Sequence, residues 1–128
     1  MIGSLEGIKE INGKKVMTNE ERPLDANGNV DWDAFDEMRN EFPICVDHEK
    51  DMISFKMLTK PASEGGDLNR CQVMEMIVVA RHIISKLNDK FPCRENAITL
   101  TKLDEAILWQ RERTRERTER GVEGKYHN

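Results

Sequence analysis

The chain has 128 residues, of which 34% are charged and 38% are hydrophobic, and its formal net charge at pH 7 is −4. This length predicts one domain with a real core, and the balance of residue types excludes a disordered chain. The acidic balance argues against a general binder of DNA or RNA, so an anion site on this chain must be local. No apolar run approaches the roughly 18–20 residues that a membrane span needs.

The three cysteines, Cys45, Cys71 and Cys93, are widely spaced and form no CxxC pair. An odd number of isolated cysteines is typical of reduced thiols in a cytosol and not of a disulfide framework. The first residues, "MIGSLEGIKEING", lack the basic start and the apolar stretch of a signal peptide. These features predict a cytoplasmic protein.

The first half of the chain has the pattern of short strands. In "IKEINGKKVM" the pair Asn12-Gly13 supplies the positive-φ positions of a type I′ hairpin turn. A loop rich in Asp, Asn and Gly follows, and residues 31–42 predict a short helix with Asp31 or Asp33 as its N-cap. The stretches "FPICVDH" and "MISFKML" then flank a charged turn and hold the β-branched and aromatic residues of two further strands.

The second half has the pattern of two helices. From Asn69 to Lys90, apolar residues recur at spacings of three and four, and Asp67 or Asn69 is the predicted N-cap. Nine of the twelve residues from 73 to 84 are hydrophobic, which predicts cover on more than one side: the sheet, the second helix and a partner chain. After a short turn the second helix runs to Arg120, where Gly121 is the predicted stop.

These elements predict an α+β fold with a small N-terminal antiparallel β-sheet followed by a C-terminal antiparallel helical hairpin, in an oligomer. The chain is expected to form a single domain. Residues 1–66 are its β-rich part, 67–121 the helical hairpin and 122–128 a tail.

No motif points to catalysis or to a metal. His48 lies between Asp47 and Glu49, but neighbouring strand residues point to opposite faces and cannot converge on one ion. The chain has no HxxxH, HExxH or paired Cys/His spacing. We therefore predict no catalytic residue and no metal site.

The loop before residue 31 resembles a calcium loop in part. Asp25, Asn27 and Asn29 fall at its first, third and fifth positions and Asp36 at its twelfth. The sixth position holds Val30, where the sharp turn of such a loop requires glycine. A polar turn before a capped helix is the favoured interpretation.

The second helix changes from apolar to strongly charged after Trp109. No large apolar residue follows before Val122, and five arginines occupy ten positions: Arg111, Arg113, Arg115, Arg117 and Arg120. Interleaved glutamates allow a plain solvated helix with i,i+3 and i,i+4 pairs.

A second interpretation is that this part of the helix forms one side of an anion-binding site. The apolar stripe Leu100, Leu103 and Ile107 continues in helical register as Gln110, Thr114 and Arg117, with Arg113 beside it. Guanidinium forks suit phosphate oxygens. Near the turn, Phe91 has the shape to stack on a base or ribose and Asn96 the donors and acceptors to pair with a base edge.

Several stretches resemble the phage Thoeris anti-defence sponge family. They are "FPICVDHEKDMISFK", "RCQVMEMI", "FPCRENA", "LTKLDEAILW" and "RGVEG", which stand in one order over most of the chain after residue 40. The helical part is also similar to the hairpin of the phage anti-CBASS sponge family.

The resemblance implies binding without catalysis or cofactor. Such proteins hold cyclic ADP-ribose isomers (glycocyclic ADP-ribose), the signals made by TIR-domain proteins, uncleaved in the host bacterial cytoplasm, so that the Thoeris effector stays inactive. Family members form dimers or larger rings such as hexamers, and some bind cyclic di- or trinucleotides at separate pockets. Neither nucleic acid nor a membrane is implied as a partner. Carried over to this chain, the ligand-binding region is the turn and the second helix, where the match in "FPCREN" selects Phe91 and Asn96. The other predicted ligand-binding residues are Thr99 and the arginines Arg94, Arg113, Arg117 and Arg120, and the choice of arginines depends mainly on the helical register.

Three alternatives remain open at this point. The protein sequesters cyclic di- or trinucleotide (CBASS) signals at the same or a second pocket, or it hydrolyses such nucleotides. Otherwise it is an interaction module whose hairpin binds a partner helix or itself, with the arginines as a solvated rim.

Overall fold

The structure is a computed structural model, and it describes Leu5 and residues 7–119. The side chains of all these residues except Ala62 and Glu119 are included. The fold is α+β, as predicted. The strands are β1 (Glu10–Ile11), β2 (Lys14–Met17), β3 (Ile44–Asp47) and β4 (Met52–Phe55), and the helices are α1 (Trp32–Met38), α2 (Val73–Lys90) and α3 (Arg94–Glu119). Short 3-10 helices cover Asn19–Glu21 and Ala62–Glu64. The predicted helix stop at Gly121 and the tail 122–128 lie outside the described residues.

The four strands form one sheet in the order β1-β2-β3-β4. The β1–β2 hairpin turns at Asn12 and Gly13, whose φ angles of 50° and 81° confirm the predicted turn. The β3–β4 pair is also antiparallel. However, β2 and β3 are parallel, with Val16 opposite Ile44, so the prediction of an antiparallel sheet is wrong and the sheet is mixed.

The segment between β2 and β3 explains the parallel pairing. Parallel neighbours need a long crossover connection, and residues 18–43, which include α1, supply it. Asp31 caps α1 as predicted, because its carboxylate accepts the Ala34 N–H at 3.2 Å. The loop before it closes on Asp25, whose Oδ1 accepts the N–H groups of Asn27 and Asn29 at 2.8 and 3.0 Å, which confirms a polar turn before a capped helix.

The core lies between the sheet and α2. Its fully buried members are apolar, and burial of each large side chain contributes about 1.5–3 kcal/mol to stability. Half-buried residues of β4 and α2, such as Phe55 and Ile83, close it at the edges. The buried cluster consists of Leu5, Ile11, Val16, Ile44, Val46, Cys71 and Val79.

Helix α2 begins four residues later than the predicted start at Asn69. Cys71 is held extended, because its backbone N–H donates to the Lys56 carbonyl and its carbonyl accepts from Leu58, at 2.9 and 2.8 Å. The N-cap is therefore Gln72 and neither Asp67 nor Asn69. Glu75 completes a capping box with Gln72, since its Oε2 accepts the Gln72 N–H at 2.9 Å.

The first turn of α2 is also tied to the sheet. Glu75 is buried, and its Oε1 lies 3.5 Å from Nζ of Lys14 in β2. Lys14 Nζ further donates to the Leu68 carbonyl at 2.9 Å. This pair fixes the start of the hairpin relative to the sheet.

Helices α2 and α3 pack against each other as an antiparallel hairpin. Arg81 of α2 and Asp104 of α3 form an ion pair across it. This hydrogen-bonded pair raises the pKa of Arg81 and lowers the pKa of Asp104. No helix among the described residues is long and apolar enough to cross a membrane.

Candidate functional site

The turn between α2 and α3 presents the first group of predicted site residues. Phe91 ends α2, where its N–H donates to the Leu87 carbonyl at 2.9 Å, and its side chain is 74% exposed. Asn88 Oδ1 accepts the Cys93 N–H at 3.1 Å, which closes the turn. An exposed aromatic ring on a turn held by these bonds is suited to stacking against a flat ligand.

The first turns of α3 place three more predicted residues beside Phe91. Arg94 is exposed and Asn96 is half-buried. The side-chain amide of Asn96 has no hydrogen-bond partner within the described residues. Thr99 is exposed and its Oγ1 donates to the Glu95 carbonyl at 2.8 Å, so its hydroxyl can still accept a hydrogen bond from a ligand.

The second group lies at the other end of α3. Arg113 is exposed, and no carboxylate of the described residues lies within ion-pair distance of it. Arg115, in contrast, is paired with Glu112, and its guanidinium holds the pKa of that carboxyl below its usual value. Arg117 is buried, with 5% of its surface exposed, as expected from the register of Ile107. Arg120 lies outside the described residues.

The two groups stand far apart within one chain. At roughly 1.5 Å per residue, Arg94 and Arg113 are about 28 Å apart along α3. The Arg81–Asp104 pair sets Val73, the first residue of α2, level with about Glu112. The arginine group therefore lies at the end of the hairpin opposite to the turn, and the protomer does not bring the two groups together.

Large apolar side chains remain exposed on the hairpin. Trp109 and Leu108 of α3 are 73% and 63% exposed, and Val73 of α2 is 58% exposed. Ile98 and Met76 are also exposed. Exposed large apolar residues grouped on one helical hairpin indicate a surface for protein–protein contact. This arrangement agrees with the high apolar content of residues 73–84, because the sheet and α3 leave part of α2 uncovered.

The residues around His48 do not form a metal site. Asp47 is committed to the Glu49 and Lys50 N–H groups at 3.1 and 3.0 Å and to Arg22 at 3.0 Å. Within the described part of the chain, no group of three or more His, Cys, Asp or Glu side chains is placed to hold a metal.

Two polar features were not predicted from the sequence. A cleft of about 390 Å³ is lined by Gly7, Lys9, Thr18, Asn19, Glu20 and His48. In addition, the half-buried cations Lys56 and Arg70 both donate to Asn40, and the half-buried Arg39 precedes it in the chain. Both sets combine residues from segments far apart in sequence, so no local motif indicates them.

The fold and site together define a class: an α+β protein that presents a two-helix hairpin with an aromatic turn at one end and arginines at the other. The chain belongs to the Acb2/Tad1 hairpin-domain family, whose model matches residues 51–115, half of the chain. This confirms the family resemblance of the sequence.

A curated phage protein is similar to part of the chain. Thoeris anti-defense 1 of Bacillus phage SBSphiJ7 is 60% identical to this chain over 37 residues, which are 29% of this chain and 26% of the relative. The match thus spans about a quarter of the relative's length. No solved structure matches the chain at a significant level.

Proposed function

We propose that this protein is a phage-type anti-defence sponge, which binds a cyclic ADP-ribose isomer made by TIR-domain proteins and holds it without cleaving it. Sequestration of the signal keeps the Thoeris effector inactive. The observation that carries the proposal is the family match over the hairpin, since those 65 residues contain five of the seven predicted site residues. The name of the phage relative, Thoeris anti-defense 1, supports the same biological role.

The ligand site is proposed to form between two chains. A small nucleotide does not span the roughly 28 Å between the turn and the arginine group of one α3. When two hairpins pack antiparallel about a two-fold axis perpendicular to their helices, the turn of one chain comes beside the arginines of the other. The exposed Leu108 and Trp109 supply apolar surface for that contact.

Each proposed side chain has a separate task. Arg113 and Arg117 neutralise the diphosphate, because guanidinium groups bond phosphate oxygens bidentately. Phe91 of the other chain stacks on the base or ribose, and Asn96 reads a polar edge. Arg94, Thr99 and Arg120 complete the contact. Burial between two chains slows release of the ligand, and a sponge requires this.

Calorimetry against a panel of cyclic ADP-ribose isomers and cyclic di- and trinucleotides tests the proposal. We expect tight binding of at least one cyclic ADP-ribose isomer, and recovery of that ligand intact when the complex is boiled. Preferential binding of cyclic oligonucleotides would instead favour sequestration of CBASS signals. A cleaved product would make the protein a hydrolase and would refute the sponge.

A charge-reversal pair makes the test specific to the site. Arg113→Glu should weaken binding at least about 30-fold, because loss of a desolvated charge partner costs about 2 kcal/mol or more. Arg111→Glu is the matched control: it makes the same charge change on the same exposed helix, about 200° around its axis. Equal losses in both variants would indicate a general effect of charge and not a site at Arg113.

A further inference from the structure

Three half-buried cationic side chains of the described residues lack the carboxylate partner that the other half-buried cations have. Six lysine and arginine side chains are half-buried within the described residues. Three of these form ion pairs with carboxylates, namely Lys14, Arg22 and Arg81. The other three, which we call the basic cluster, have no carboxylate of the described residues within ion-pair distance: Arg39, Lys56 and Arg70.

The members of the basic cluster come from three segments of the chain, and two of them meet at the side chain of Asn40. Lys56 Nζ and Arg70 Nη2 both donate to Asn40 Oδ1, at 3.2 and 3.4 Å. The Asn40 carbonyl accepts from Nδ2 of Asn69 at 3.0 Å, which holds Asn40 in place. A single neutral amide oxygen is therefore shared by two cations.

Arg39 is fixed from the other side. Its Nη1 donates to Ser54 Oγ at 3.0 Å and its Nη2 to the Pro43 carbonyl at 3.1 Å. The Nε–H groups of Arg39 and Arg70 are buried and have no acceptor. The protein thus orients both guanidinium groups with neutral oxygens and leaves part of their hydrogen-bonding capacity unused.

The charges of the cluster act on each other. Burial, and then the charges of Arg70 and Arg39, lower the pKa of Lys56, and Asp36 offsets this only in part. Like charges held together in a partly desolvated place oppose folding unless a ligand uses them. This arrangement stands in a chain whose net charge is negative, so a general basic surface does not explain it.

We propose that the basic cluster is a second ligand site, which binds a phosphate group independently of the hairpin. Two guanidinium groups and one ammonium, with Asp36 nearby, leave a local charge of about +2, which matches a phosphate dianion. Such a group comes either from free orthophosphate or from a nucleoside monophosphate. Both sources share the chemistry that the cluster recognises.

Titration of the full chain with orthophosphate, at constant ionic strength against chloride, tests the proposal. Lys56→Gln and Arg70→Gln should each weaken phosphate binding at least tenfold. Lys86→Gln, which removes an exposed lysine of α2, should leave it unchanged. Loss of phosphate binding in Arg113→Gln alone would place the anion at the hairpin and overturn the proposal.

A second measurement separates the sources and guards against misfolding. AMP should compete with orthophosphate; tighter binding of AMP identifies a nucleotide ligand, and equal binding identifies the free anion. Absence of binding by both would overturn the proposal. In phosphate-free buffer, Lys56→Gln and Arg70→Gln should melt no lower than the wild type, because each removes a repulsive charge. A lower melting temperature in both variants would show that the cluster serves stability, and it would also overturn the proposal.

Discussion

Replacement of Trp109 by alanine should separate the proposed assembly into protomers. Trp109 is 73% exposed on α3, and a tryptophan buries about 150–250 Å² when it is fully covered. Roughly 110–180 Å² is thus available to a partner chain, which at about 25 cal/mol per Å² corresponds to about 3–4.5 kcal/mol. A symmetric dimer contains Trp109 twice, once from each chain. Even if only half of this free energy is realised at each copy, the dissociation constant should therefore rise at least about 100-fold.

Light scattering coupled to size-exclusion chromatography, over a range of protein concentrations, measures this change. The mass of the variant should fall toward that of one 14.8 kDa chain at concentrations where the wild type is still assembled. Trp32→Ala is the matched control, since Trp32 is 62% exposed but belongs to α1 and not to the hairpin helices. An unchanged mass for the Trp109 variant, or an equal loss of mass in both variants, would refute assembly through this face of α3.

Three further predictions concern the protomer. Cys93 is exposed, whereas burial raises the pKa of Cys71 to about 11, so native protein treated briefly with iodoacetamide should carry its label at Cys93, as peptide mass spectrometry will show. Gly66→Ala should lower the free energy of unfolding by roughly 1–3 kcal/mol in urea titrations, because a Cβ there would stand 1.9 Å from a backbone carbonyl oxygen. The Lys50 backbone N–H and a neighbouring guanidinium hold the pKa of Asp47 below its usual value, so its contribution is complete above about pH 4 and is lost as the pH falls through the lowered value. Asp47→Asn should remove that part of the decrease in the free energy of unfolding at acid pH, as urea titrations at several pH values will show. An unchanged pH dependence below about pH 4 would contradict this prediction.

The features predicted correctly from the sequence have local causes. The positive φ angles at Asn12 and Gly13 and the cap at Asp31 depend on a few neighbouring residues. The register of α3 also follows from local spacing, which is why the burial of Ile107 and Arg117 was expected. The exposed ring of Phe91 agrees with its proposed role, but the ligand contacts of the site residues stay predictions.

The features that the sequence did not reveal depend on contacts between distant segments. The parallel pairing of β2 and β3 joins segments separated by residues 18–43, and periodicity within a strand carries no information about its neighbour's direction. The late start of α2 follows from the parallel bridge of Cys71 to Met57. Asp67 and Asn69 have good N-cap side chains, but this bridge, and not local propensity, determines where the helix begins.

Mixing two inactive variants tests most directly whether one ligand site is shared by two chains. Asn96→Ala disables the turn end of a chain and Arg113→Glu disables its arginine end. In a symmetric dimer, each mixed pair retains one intact site, so an equimolar mixture that has exchanged subunits should recover about a quarter of the wild-type sites for the cyclic ADP-ribose isomer. A mixture of Phe91→Ala and Asn96→Ala, both at the turn end, should recover none. No recovery in the first mixture after subunit exchange has been verified would contradict a site built from two chains.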